Sequence, residues 1–269
     1  MQLFINGIGI CGPGLAGWQR TCEVFLEIHS YCQEDLPQPT PTFLPPNELR
    51  RSSEVVKWSL QVAHEALQQS HVSVHDVTTV FAASEGESAI LHQMCLALAT
   101  TERVISPTLF HHSVHNAAAG YWSIGIESHQ PSVSLSCYDS SFGGGLVEAG
   151  TCICVNSSPV LLVAYDLAPP PPLYAARPLA APFATALLFS SQQLSHSLAH
   201  LSIQLVEGTG EETRMAEPSL EVLRKGNPAA RALPLLSAIA KGKKTQVSIN
   251  YLDDNQLLID VTPCQPCQN

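Results

Sequence analysis

Chemistry in this chain would concentrate on Pro131–Gly150, which reads Pro-Ser-Val-Ser-Leu-Ser-Cys-Tyr-Asp-Ser-Ser-Phe-Gly-Gly-Gly-Leu-Val-Glu-Ala-Gly. Cys137 is a thiol that could attack a carbonyl, and Asp139 is an acid two residues on. Val133, Leu135 and Cys137 alternate with serines; Leu146, Val147 and Ala149 then follow at helical spacing, so a strand feeds a helix through a tight elbow. A side chain at such a turn stands over the strand end, beside unpaired N–H groups and a partial positive charge that favour an anion or a thiolate. Asp139 occupies the turn, whereas Cys137, inside the strand, also reads as a small buried hydrophobe.

Other chemical residues are scattered. His111 and His115 are four apart with His112 between them, but no carboxylate or cysteine nearby completes a ligand set and the segment reads as extended at its start. Cys264-Gln-Pro-Cys267 has a metal-like spacing without a second pair, and reads as a chain-end tail. No metal or cofactor is expected. Gly7, Gly9, Gly12 and Gly14 do not form a phosphate-binding loop, because the first two fall inside a strand and the last two do not open a helix. His196 and His200 precede the strand Leu201–Val206 and are expected on an exposed helix or loop.

The elements that would position the elbow can be read in order. Phe4–Ile10 is a buried strand ended by Cys11-Gly12-Pro13-Gly14, and residues 34–47 form a Pro-rich loop. Asn47-Glu48 caps one helix, about Leu49 to Gln69, whose apolar face predicts burial. Val77–Ser84 is the next strand, Ser88–Thr100 a helix, and Pro159–Tyr165 a buried strand ending at Asp166 before the stiff loop Leu167–Pro172. Phe183–Phe189 and Leu201–Val206 are further strands, helices lie near Leu220–Arg224 and Ala229–Ala240, and Val247–Tyr251 with Gln256–Val261 forms a hairpin.

Composition bounds the partners. The 269 residues suffice for a sizeable core, and with 45% apolar and only 13% charged residues the surface is poor in charge. That deficit fits either a large partner interface or simply a large core. A net charge of −10 argues against nucleic acid and anionic membrane surfaces. No apolar run is long enough to insert in a membrane and the N-terminus lacks a signal-peptide pattern, so a cytoplasmic location is expected. Nine scattered cysteines, mostly in apolar contexts, predict reduced buried thiols.

Pro131–Gly150 resembles the nucleophile elbow of the β-ketoacyl synthases, thiolase-like enzymes that form carbon–carbon bonds on acyl carrier protein. Aligned on that pattern, the family's cysteine falls on Asp139. Ser106–Ile124, with Ser113-Val114-His115-Asn116-Ala117-Ala118-Ala119-Gly120, resembles the family's dimer-interface segment, most closely in the chain-length-factor subunits of bacterial aryl polyene pathways. Ala180-Ala181-Pro182-Phe183 stands where the family has glycines, and the resemblance fades beyond Gly210, before the family's histidine-bearing region.

The resemblance implies an α/β, thiolase-like layered α-β-α fold with a truncated second half, divided into residues 1–195 with a degenerate elbow and a shortened 196–269. It implies a chain-length-factor-like subunit that is not catalytic itself, forms a heterodimer with a catalytic ketosynthase and meets acyl carrier protein only indirectly. Met94, Leu109, Phe110, His111, His115, Asn116, Ala118 and Gly120 are the expected tunnel or interface residues. A small condensing or acyltransferase enzyme using Cys137, and a structural homodimer without a pocket, are the alternatives left open.

Overall fold

The computed structural model describes residues 1–34, 39–208 and 210–264. Its strands are β1 (Gln2–Gly12), β2 (Leu15–Ala16), β3 (Thr78–Ala82), β4 (Ser132–Leu135), β5 (Val160–Asp166), β6 (Phe183–Ser190), β7 (Ala199–Glu207), β8 (Thr245–Asn250) and β9 (Asn255–Pro263). The helices are α1 (Trp18–Phe25), α2 (Pro46–Arg51), α3 (Glu54–Ser70), α4 (Ser88–Ala99), α5 (Pro107–His112), α6 (Ala117–Ile126), α7 (Ser141–Asn156), α8 (Leu173–Ala176), α9 (Pro218–Gly226) and α10 (Leu233–Lys241).

One mixed sheet runs β4-β3-β5-β6-β1-β7-β9-β8, with β2 folded back on β1. β3 pairs in parallel with β4 and β5, while the other neighbours on this path are antiparallel. β1 joins the stretches on either side of residue 195, since it pairs with both β6 and β7. The fold is thus α/β and thiolase-like, as the sequence predicts.

Two apolar cores form on opposite sides of β1. A bulge between Ile5 and Gly7 shifts the strand's phase, so Leu3, Ile5, Ile8 and Ile10 all enter one core with Phe142, Leu146 and Ala149 of α7 and with β7, β9 and α10. The other core takes Val56, Leu60, Val62, Ala63 and Ala66 of α3, Ala117–Ala119 and Trp122 of α6, and the opposite faces of β5 and β6. Gly7 and Gly9 make that packing possible: a Cβ at either would collide with the backbone carbonyl of Ala66 or Val62 in α3. In β7, Ala199, Leu201 and Ile203 are buried while the residues between them are more exposed, the alternation of a half-covered antiparallel strand.

Four expectations change. The helix drawn over Leu49–Gln69 is two, because Ser52 is extended and Ser53 caps α3 by accepting the Val56 N–H; the first of them begins at Pro46, inside the region drawn as loop. The segment after Ser106 starts as helix α5, with Pro107 at its first position, where its missing N–H costs nothing. His200 lies within β7 against the Phe4 ring, and His196 packs against His71. Among the described cysteines only Cys11 is buried; Cys32, Cys95 and Cys154 are exposed, and Cys267 lies outside the described residues.

Candidate functional site

The carboxyl ends of β3, β4 and β5 come together, the place where open α/β sheets present their chemistry. Ala83 N–H donates to the Leu135 carbonyl and Ser136 Oγ to that of Ser84, so the loop after β3 and the elbow after β4 are tied together. From the far side, Asp166 at the end of β5 accepts the Ser84 N–H and hydroxyl, each at 2.7 Å.

The elbow is one 3-10 turn, Tyr138–Ser140, leading into α7. Ser141 Oγ accepts the Cys137 N–H at 3.0 Å and donates to the Tyr138 carbonyl at 2.7 Å, closing the turn from below. Tyr138 takes the strained position, with φ at 52°. The glycine run lets α7 settle close to the strands: a Cβ on Gly144 would strike Cys137 Sγ, and one on Gly145 would press on Leu162.

Asp139 sits at the turn, where the sequence places it, and its carboxylate holds the Arg177 guanidinium at 2.6 Å. Arg177 follows α8 and also lies 3.5 Å from Glu85, with its guanidinium carbon 3.7 Å from the centre of the Tyr138 ring. One cation thus fastens the loop after β5 over both the elbow and the loop after β3. Cys137 is half-buried, and burial pushes its thiol pKa up, the opposite of what a nucleophile needs.

Two buried acids stand beside this cluster. Glu87 accepts the Ser53 hydroxyl at 2.5 Å, and burial, opposed by that bond, lifts it to about 7. Asp166 is likewise raised to about 7 by burial, against the two bonds from Ser84. Each keeps one carboxyl oxygen buried without a hydrogen-bond partner. Asn227 Nδ2 donates to the carbonyls of Asp166 and Ala181 while its Oδ1 accepts the N–H groups of Ala229 and Ala230, linking the site to the turn before α10. Sequence reasoning missed Arg177, Glu85, Glu87 and Asn227; the available signal was an arginine at the end of a proline-stiffened loop beyond a strand that ends in Asp166.

The other expected residues lie on α4 to α6. Met94 and Leu109 are half-buried, Phe110, His111, Asn116 and Gly120 are exposed, and Gly120 faces open space. Ala118 is buried in the chain's own core. His115 packs over Gly86 with its Nε2 buried and unpaired, while His112 is the core histidine, 2.6 Å from the Tyr121 hydroxyl. Among the described residues no group of three or more His, Cys, Asp and Glu side chains is placed to hold a metal ion. None of the described helices is long and apolar enough to cross a membrane.

Comparison with solved structures finds the same architecture. A chain of the ketosynthase ApeO in complex with its chain length factor ApeC from Xenorhabdus doucetiae is 23% identical, with a TM-score of 0.73 over 97% of this chain and 99% of that one. A chain of the ishigamide ketosynthase/chain length factor is 11% identical, with a TM-score of 0.75 over 98% and 100%. A chain from AntDE:AntF, a type II polyketide synthase acyl-carrier protein in complex with its ketosynthase, is 11% identical, with a TM-score of 0.70 over 98% and 99%. No curated protein matches the chain. The sequence model of the family described as "Beta-ketoacyl synthase, N-terminal domain" matches residues 24–250, most of the chain, and with the elbow and the sheet around it this makes the protein a member of the β-ketoacyl synthase family.

Proposed function

We propose that this protein is a non-catalytic, chain-length-factor-like subunit that pairs with a catalytic ketosynthase and shapes the far end of the tunnel holding a carrier-protein-bound chain, of the aryl polyene class. The observation that carries the reading is the Asp139–Arg177 pair at the elbow: the turn position holds a carboxylate that cannot form an acyl thioester, and a cation already neutralises it. In this reading residues 1–195 are the ketosynthase-like half with a degenerate elbow, 196–269 the shortened second half, and the cytoplasm the place of work.

A second observation supports pairing. α4 is rich in apolar residues yet has no buried residue, and Leu91, Leu96 and Leu98 stand exposed on it. Phe110 of α5, against which α4 packs, and nearby Val114 are exposed as well. Such a face is characteristic of an obligate interface rather than of free surface. Met94, Leu109 and Phe110 on the same elements are then the residues placed to limit chain length, by burying about 0.8 kcal/mol per CH₂ until a further unit clashes.

Co-expression with the ketosynthase encoded nearest to this chain, tagged on this chain alone, tests the reading. The expected result is a one-to-one complex whose malonyl-dependent elongation stops when the partner's cysteine is mutated and survives Cys137→Ala. Iodoacetamide at neutral pH should label Cys32, Cys95 and Cys154 well before Cys137. A self-sufficient homodimer acylated on Cys137 would overturn the proposal in favour of a small condensing enzyme.

A further inference from the structure

None of the twelve residues of α4 is buried, so its attachment to the chain falls to the residue that begins it, Glu87, which is only 4% exposed. The Leu91 N–H donates to the Glu87 carbonyl at 3.0 Å, and Gly86 just before has its φ at 66°, where glycine is the favoured residue.

A side-chain oxygen at such a position ordinarily accepts the first N–H groups of its own helix. The Glu87 carboxyl does not: it turns to α3, where Ser53 Oγ donates to it at 2.5 Å and accepts the Val56 N–H at 3.1 Å. One serine thus serves both the cap of α3 and the anchor of α4. The other carboxyl oxygen is buried without a hydrogen-bond partner. The titratable groups facing it are the phenols of Tyr165 in β5 and Tyr121 in α6, each raised first by burial and further by the Glu87 charge. Glu48 and Arg51 of α2 act on Tyr121, His115 stands over Gly86, and Glu85 is already paired with Arg177. Burial raises the pKa of Glu87, and the Ser53 hydroxyl is the one group that opposes it; no cation does.

A neutral carboxyl can stay in such a place, whereas a carboxylate there is a buried charge without a counter-charge and draws water. Since α4 has no buried residue of its own to resist, lifting its first turn is the least costly way to wet that charge. We infer that Glu87 is a proton-operated anchor of α4: protonated, it seats the helix against Ser53, and once its proton has gone to solvent the first turn of α4 detaches and the cap of α3 loosens. The inference stands whether or not α4 meets a partner.

Hydrogen exchange of the full chain from about pH 5 to about 8, corrected for the intrinsic pH dependence of amide exchange, tests it at the amides of residues 88–95. A detached Glu87 has an ordinary carboxylate pKa and a seated one about 7, so opening should grow about tenfold per pH unit up to about 7 and level off above. Glu87→Gln, similar in size and always neutral, should remove that dependence and keep exchange slow. Ser53→Ala, which takes away the one group favouring the carboxylate, should carry the rise to higher pH. No rise in the parent, a rise that survives Glu87→Gln or vanishes in His115→Gln, or one shared equally by α7 and the sheet as in global unfolding, would overturn the assignment.

Discussion

At Asp139 a carboxylate stands where the strand-to-helix turn offers the best place for a reactive anion, and the structure spends that place on an ion pair. Arg177 is mostly buried, whereas Asp139 is about half-exposed, so screening keeps the pair modest. Arg177→Ala leaves Glu85 and Asp139 without their shared counter-charge and should lower stability by about 1 kcal/mol, read as a shifted urea midpoint with unchanged slope. An unshifted midpoint would mean the clamp is only decorative.

Glu87 and Asp166 act at the same scale through pH. Their folded-state pKa values, about 7, lie above ordinary carboxylate values, so the folded chain binds more protons than the unfolded one across the interval between them. Their contribution to stability is complete below the ordinary carboxylate range and is lost as pH rises through about 7. Unfolding free energy from this pair should therefore fall between about pH 4 and 7, and Glu87→Gln should flatten that fall. An equal slope in the variant would remove Glu87 from the account.

Among the elements, the decisive contact is α3 against β1. Gly7 and Gly9 bring the helix backbone onto the strand, and Glu65 of α3 accepts the N–H of Ile10 in β1 at 3.1 Å and that of Trp18 at the start of α1 at 2.6 Å. Gly9→Ala forces a methyl into the Val62 carbonyl, and because that neighbour is helix backbone it cannot swing aside. The expected cost is about 3 kcal/mol or more, seen as a fall in Tm of several degrees or as loss of soluble protein. A variant as stable as the parent would show that α3 can slide.

For the molecule as a whole, the surface divides its apolar residues unevenly. α4 exposes several while the two cores on either side of β1 are closed, so α4 is an apolar face that the free chain leaves uncovered. Leu96→Asp should leave the Tm of this chain unchanged, since Leu96 is exposed, and should break the proposed one-to-one complex with a ketosynthase on size exclusion. A complex of undiminished yield would place the interface elsewhere.

Local pattern determined much of this protein by itself. The strand, elbow and helix of Pro131–Gly150, the terminal hairpin, the buried face of α3 and Asp139 at the turn could all be read in order, because each depends on spacing within one short stretch. Folding decided the rest, for reasons of distance and of phase. Arg177 reaches Asp139 across 38 residues, Asn227 reaches Asp166 across 61, and no local period announces such pairs. Ser53, which caps α3 at the break, is also held from afar by Glu87, 34 residues on. The bulge in β1 sends Leu3, Ile5, Ile8 and Ile10 to one side although a strict alternation would divide them. Sequence placed the acid at the turn; only the packed chain brought the cation that neutralises it.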